Sequence, residues 1–281
     1  MNTLKISEML QQFFNEDIGE GDLTSESIFP RSMIGEGNFI VKDQGVLAGL
    51  ELILIGYSLL DSSIDIQLLK RDGDFVEKGE RIATVKGPMG QLLTGERVIL
   101  NLLQRMSGIA TLTNQAVTLL DSEYTRICDT RKTTPGLRMF EKYAVRCGGG
   151  YNHRFGLYDG VMIKDNHIAF AGSITEAVQS VRAKLGHMVK IEVETENKEQ
   201  VLEAIAAKVD VIMFDNRSPE EIEEFVRLVP EGILTEASGG ITLDVLSDYK
   251  NTGVDYISLG ALTHSVRALD ISFNVGTKGE I

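Results

Sequence analysis

From about Thr125 onward, short apolar runs alternate with stretches whose apolar residues recur at helical spacing. The runs are Thr125–Asp129, Tyr158–Lys164, Val189–Glu194, Val209–Asp215, Gly232–Ser238 and Val254–Gly260. Near-continuous apolar runs of this length read as parallel strands buried on both faces. Between them the pattern predicts helices over Ile174–Lys184 after Ser173, Glu220–Val229 after Ser218 and Pro219, and Leu243–Tyr249 after Thr242. Ser and Thr at those positions supply side-chain acceptors for the free N–H groups of a first turn. Repeated βα units either close into a barrel or open into a doubly wound sheet.

The strand ends choose between the two. A barrel gathers its reactive groups where every strand ends, whereas a doubly wound sheet confines its ligand to one switch point. Here Asp129–Lys132, Lys164, Glu194, Asp215, Ser238 and Gly260 each close a strand with polar chemistry or glycine. No glycine-rich dinucleotide fingerprint is present, and Gly148–Gly150 reads as the stop of a helix over Leu137–Arg146. The expected fold is therefore an α/β chain with a TIM-like βα barrel.

The first part of the chain has another texture. Met1–Asn15 predicts an amphipathic helix with Leu4, Ile6, Met9, Leu10, Phe13 and Phe14 nearly on one side, and Arg31–Val85 reads as short strands broken by glycine. A separate sandwich domain follows from that pattern. Asp72–Val85 resembles the hammerhead of lipoyl and biotinyl carriers, but the central modified-lysine motif is missing, so shared strand geometry is the better reading than carriage. Thr94–Ala110 predicts a long helix joining the two textures.

Charge changes the picture. The chain has 281 residues, 43% of them hydrophobic, which suffices for a sizeable core, and its net charge is −13. Arg126–Lys164 reverses that sign: eight Lys and Arg against three acids give +5, leaving −18 for all other residues. Such a chain repels polyanions at long range, which argues against nucleic acid, while the local reversal suits a small, multiply charged anion. No run approaches the roughly 18 apolar residues that span a bilayer, and no basic flank leads into an apolar stretch at Met1–Asp22, so a soluble cytoplasmic protein is expected. Cys128 and Cys147 are too few for a disulfide framework and read as reduced core thiols.

Several residues could carry chemistry. Lys164 ends an apolar strand, where a desolvated lysine could form a Schiff base, but Arg131, Lys132 and Arg154 beside neighbouring strand ends suit carboxylates and phosphates better than a carbonyl. Glu194 and Asp215 end successive strands. They could serve as caps or ion-pair partners, or accept ribose hydroxyls and help hold magnesium. Ser238, Gly239 and Gly240 precede a helix and, with Gly260, occupy the usual position of a barrel phosphate site.

Ordered blocks along the whole chain closely resemble the quinolinate phosphoribosyltransferase family. They are EDIGEGDLT (Glu16–Thr24), GERVILNLLQRMSGIAT (Gly95–Thr111), DTRKTTPGLR (Asp129–Arg138), EKYAVRCGGGYNHR (Glu141–Arg154), IKDNHI (Ile163–Ile168), EVET (within Ile191–Thr195), FDN (Phe214–Asn216), EASGGI (Glu236–Ile241) and LGALTHS (Leu259–Ser265). The resemblance implies an α/β sandwich domain over residues 1–109, joined by a returning tail at 267–281, and an open, incomplete barrel over 110–266. It implies transfer of phosphoribosyl from phosphoribosyl pyrophosphate to quinolinate with decarboxylation, giving nicotinate mononucleotide for NAD biosynthesis. It further implies that Mg²⁺ accompanies the pyrophosphate substrate, with Glu194 and Asp215 as its expected ligands directly or through water, and that no organic cofactor is required.

The resemblance also assigns residues. Arg131, Lys132, His153, Arg154 and Lys164 would bind the quinolinate carboxylates and the pyrophosphate. Glu194 and Asp215 would face the ribose, and Ser238, Gly239, Gly240, Gly260 and His264 the 5′-phosphate. Lys132, Lys164, Glu194 and Asp215 would form the catalytic set. Family members are dimers or larger homo-oligomers, and Arg97 would cross the subunit interface; Arg105 matches no site position. The alternatives are a related transferase acting on another pyridine or nucleobase, such as the one associated with molybdenum transport, and a non-catalytic phosphoribosyl-ligand sensor.

Overall fold

The computed structural model describes residues 1–276, so residues 277–281 of the expected tail lie outside the described residues. The chain forms two compact units. The first comprises Met1–Leu112, Met139–Gly149 and the chain from Val266 onward; the second comprises Thr113–Arg138 and Gly150–Ser265. The sequence reading assigns Met139–Gly149 to the barrel, whereas this segment, which holds most of α5 (Arg138–Cys147), packs in the first unit, where Phe140 meets Phe13 with ring centroids 6.5 Å apart.

The first unit holds α1 (Thr3–Ile18), α2 (Leu23–Ile28), β1 (Ile34–Val41), β2 (Gly45–Val46), α3 (Glu51–Leu60), β3 (Asp65–Leu68), β4 (Phe75–Val76), β5 (Arg81–Pro88) and most of α4 (Met89–Leu120). Its main sheet has the order β12-β1-β5-β3, where β12 (Ile271–Gly276) runs antiparallel to β1 and brings the chain's end back to this unit. Phe39 of β1 meets Phe273 of β12 with tilted rings 4.8 Å apart, and Tyr57 of α3 meets Phe39 edge-on. Within α4, Gly108 permits a close chain crossing: a Cβ there would lie 2.2 Å from the Arg267 carbonyl oxygen.

Three features of this unit depart from the sequence reading. Strands are expected throughout Arg31–Val85, yet Glu51–Leu60 is a helix. Its residues are apolar almost all round, so the helical period shows only in which of them are buried, Leu52, Ile53, Gly56 and Tyr57. The helix expected over Thr94–Ala110 extends to Met89–Leu120. In α1, Ile6, Leu10 and Phe14 are buried as expected, whereas Leu4 is 77% exposed.

The second unit holds six parallel strands: β6 (Arg126–Cys128), β7 (Val161–Ile163), β8 (Ile191–Thr195), β9 (Val211–Asp215), β10 (Leu234–Ser238) and β11 (Tyr256–Ser258). Five fall within one of the predicted runs, and β8 runs one residue past its run, to Thr195. Their order is β6-β11-β10-β9-β8-β7, so β6 and β7 are the two edges and the barrel stays open between them. Tyr151 bridges to Cys128 along the free edge of β6, and the Arg154 guanidinium donates to the Gly160 carbonyl (2.7 Å) just before β7. The segment Tyr151–Arg154 thus forms a seam where a further strand would close the ring.

Helices α7 (Ile174–Arg182), α8 (Lys198–Ala206) and α9 (Pro219–Val226) follow strands as the βα repeat requires. Ser173, Asn197 and Ser218 cap them through their side chains, and Pro219 opens α9. Leu243–Tyr249 is a 3₁₀ turn instead of the expected α-helix, and the Thr242 side chain makes no cap bond. The short α6 (Asp165–Ala171) carries no apolar period and buries no residue. Among the described residues, no helix is long and apolar enough to cross a membrane.

Candidate active site

Parallel strands put alternate side chains inside the barrel and point their carboxyl ends to one mouth. A cavity of about 560 Å³ lies there, and its walls include Arg131, Lys132, His153, Arg154, Lys164, Glu194, Asp215, Ser238, Gly239 and Gly240. Ten of the thirteen sequence-predicted site residues therefore share one hollow. Gly260 and His264 adjoin it through Lys132: a Cβ on Gly260 would lie 2.9 Å from Lys132 Cδ and 3.2 Å from the His264 ring. Arg97 belongs to the first unit, on α4, where its side chain is 61% exposed and lies 3.4 Å from Glu96.

Charge is segregated around the mouth. Strand order places Arg131 and Lys132 after β6, His153 and Arg154 on the seam, and Lys164 after β7, so the cations occupy one arc. Glu194 on β8, Asp215 on β9 and the Ser238–Gly240 turn after β10 occupy the other. Burial and then the charge of Arg131 hold the Arg154 guanidinium below its ordinary value. Burial and then the Glu194 carboxylate raise Asp215. At the mouth the arcs are joined by an ion pair between the Lys164 ammonium and Glu194.

The Ser238–Gly240 turn is built by backbone geometry. Gly239 has φ 88°, and a Cβ there would sit 2.4 Å from Asn216 Oδ1 and 2.8 Å from Asp215 Oδ1, so only glycine lets the turn come this close. Asn216 also takes a left-handed conformation, φ 53°; its N–H donates to the Ser238 carbonyl (2.8 Å) and its amide to Asp215 Oδ2 (2.6 Å). The sequence reading leaves Asn216 out of the site, although it follows Asp215 in the FDN block.

Only part of the basic stretch reaches the cavity. Arg131, Lys132, Arg154 and Lys164 line it. Arg126 instead stacks over Tyr151 at 4.7 Å, and Arg138 braces the loop by donating to Thr133 and to the Phe155 carbonyl. Lys142 and Arg146 sit in the first unit. There Arg105 donates twice to Glu141 Oε1 (2.8 and 2.6 Å), a structural ion pair that accounts for the cation left outside the predicted site. Cys147 is inert, since burial and the Asp72 carboxylate push its thiol up to about 12.

A second layer lies beneath. Period-two alternation turns Glu192 inward below Glu194, and Glu236 inward below Ser238, and both are more than nine-tenths buried. His153 Nε2 lies 2.9 Å from Glu192 Oε2 and 3.6 Å from Glu236 Oε2. Burial and the neighbouring Glu192 push Glu236 up to about 8. The folded state then holds a proton that the unfolded chain releases near 4.5, so this group's contribution to stability falls as pH rises from about 4.5 to about 8 and levels off above. Glu236→Gln should flatten the pH dependence of the melting temperature over that window, which thermal scans at several pH values would check.

Two family models cover nearly the whole chain. Residues 22–107 match the N-terminal domain, and residues 109–274 the C-terminal domain, of quinolinate phosphoribosyl transferase. A relative from Bacillus subtilis, a probable carboxylating nicotinate-nucleotide pyrophosphorylase, is 60% identical over 100% of this chain and 96% of its own. A decarboxylating mitochondrial quinolinate phosphoribosyltransferase from Nicotiana glauca is 40% identical over 98% of this chain and 84% of its own. Among solved structures, NadC from Streptococcus pyogenes aligns with a TM-score of 0.95 at 40% identity over 98% of both chains. The nicotinate-nucleotide pyrophosphorylase of Francisella tularensis aligns with a TM-score of 0.93 at 39% identity, again over 98% of both.

Proposed function

Because the chain belongs to the quinolinate phosphoribosyltransferase family, we propose that its barrel cavity is where phosphoribosyl passes from phosphoribosyl pyrophosphate to quinolinate. The reaction loses CO2 and yields nicotinate mononucleotide for NAD biosynthesis. The observation that carries the assignment of residues is the grouping of like charges around one mouth. A cluster built for stability would interleave opposite charges; Arg131 and Arg154 on one arc, with Glu194 and Asp215 on successive strands of the other, instead fit a reactant with two anionic ends and a sugar between.

Quinolinate carries two adjacent carboxylates, which suit the arc of Arg131, Arg154 and Lys164. The 5′-phosphate suits the backbone of Ser238–Gly240, with Gly260 and His264 at its flank, and the ribose hydroxyls suit Glu194 and Asp215. Attack of the ring nitrogen on ribose C1 passes through an oxocarbenium-like state, which those two carboxylates stabilise. Lys132 and Lys164 offset the charge growing on the departing pyrophosphate. Nitrogen alkylation makes the ring a pyridinium, so the electron pair left when the adjacent carboxylate departs as CO2 is stabilised beside positive nitrogen. Two oxygen-donor carboxylates that repel each other fit a hard divalent cation, and Mg²⁺ bound with the pyrophosphate substrate would supply further neutralisation there.

We read the enzyme as a homo-oligomer in which the exposed Arg97 enters a neighbouring subunit's cavity. A chain with two cysteines, Cys128 and Cys147, suits the reducing cytoplasm. Lys164 is half-exposed and ion-paired, without the desolvation that a Schiff-base lysine needs. With Mg²⁺ and phosphoribosyl pyrophosphate, quinolinate should give mononucleotide and pyrophosphate, while nicotinate, lacking the 2-carboxylate, should give little. Comparable turnover of nicotinate, or binding of phosphoribosyl pyrophosphate without pyrophosphate release, would contradict this reading.

A further inference from the structure

His153 is held from every side. Its backbone N–H donates to Asp129 Oδ1 (2.9 Å), and its Nδ1 accepts the backbone N–H of Arg154 (2.8 Å). An accepting Nδ1 leaves the ring proton on Nε2, the atom that faces Glu192 Oε2 and Glu236 Oε2. The ring is therefore a rigid link between the two buried carboxylates below and the Arg154 backbone above. Arg154 is itself fixed at its far end, where its guanidinium donates to the Gly160 carbonyl. Any turn of the imidazole would break the Nδ1 bond and shift the residue whose guanidinium forms the seam side of the cationic arc.

We propose that Glu192 and Glu236 are positioning residues for quinolinate: Glu192 accepts the His153 Nε2–H, Glu236 backs the same atom at 3.6 Å, and through Nδ1 that ring sets Arg154. This rests on the cavity being the quinolinate site. The cluster is poorly suited to a purely stabilising role. Glu192 and Glu236 are 6% and 4% exposed, the buried Glu192 Oε1 accepts no hydrogen bond among the described residues, and burying carboxylates around a single imidazole is costly. The same three side chains place donor atoms within 4.8 Å of one another, as a transition-metal site would. A metal on Nε2 would have to displace the proton that the Nδ1 contact puts there.

Steady-state kinetics with each substrate varied separately would test this. Glu192→Ala removes the acceptor and should raise KM for quinolinate about 10-fold, leaving KM for phosphoribosyl pyrophosphate within about 2-fold. Glu192→Gln keeps an acceptor oxygen for Nε2–H and should restore KM for quinolinate to within about 2-fold of wild type. Equal impairment by Ala and Gln, or a parallel rise of both KM values, would overturn the proposal. If Glu192→Ala fails to fold, nitrogen-15 spectra of histidine-labelled wild-type protein decide instead. They should show His153 protonated at Nε2 with a bare Nδ1, and an Nδ1–H form or a stoichiometric bound metal would overturn it. A wild-type enzyme inactive with quinolinate would remove the substrate reading and this proposal together, whereas an active one with unchanged KM in Glu192→Ala would remove this proposal alone.

Discussion

Arg131→Ala is expected to lower turnover by roughly 10²–10³-fold, the usual consequence of removing one preorganised cation from a site where charge develops. Its melting temperature should barely move. The Arg131 side chain is exposed at the cavity mouth, and what the loop takes from this residue is its carbonyl, which accepts from the Thr133 N–H (2.9 Å) and from Arg138 (3.4 Å). An exposed side chain without a packing role changes stability by about 0.5 kcal/mol or less on truncation. Relief of the repulsion between Arg131 and Arg154 offsets part of any such loss. Comparing kcat with the thermal midpoint of the same preparation checks both halves, and wild-type turnover in the variant would remove Arg131 from the chemistry.

Mixing two inactive variants should regenerate activity. Arg97→Ala removes the cation proposed to cross the interface, and Lys164→Ala removes a cation from the barrel side. In a symmetric dimer with shared sites, each mixed dimer has one site carrying both lesions and one carrying neither. Random exchange of equal amounts makes about half of the dimers mixed, so about a quarter of wild-type activity should return. Native mass spectrometry would verify the exchange. If mixed dimers form and stay inactive, each site is built from a single chain, and the assignment of Arg97 falls.

How much was legible in the sequence depended on which physical signal each feature carried. Buried parallel strands leave unbroken apolar runs, and each of the six barrel strands overlaps the run that predicts it, β8 alone passing its end by one residue. Caps are local chemistry, so Ser173 and Ser218 were readable, while Thr242 misled because a Thr before a short turn looks the same whether or not its hydroxyl bonds. The helix Glu51–Leu60 was hidden by apolar residues on nearly every side. The charge reversal over Arg126–Lys164 pointed to the right stretch but overstated the site, because sequence cannot tell Arg131, which faces the cavity, from Arg126, which lies over an aromatic ring. Glu192 and Glu236 were within reach of simple strand parity, two residues before Glu194 and Ser238, had the inner layer been counted as well as the strand ends.

The central claim is that a single mouth brings the ring nitrogen of quinolinate to ribose C1 and then releases its 2-carboxylate. Supplying quinolinate labelled at that carboxylate, together with phosphoribosyl pyrophosphate and Mg²⁺, tests it most directly. Labelled CO2 and pyrophosphate should appear in equal amounts, and neither should form when either substrate is omitted. Pyrophosphate released while the label stays on the ring, or label lost without pyrophosphate, would contradict the account.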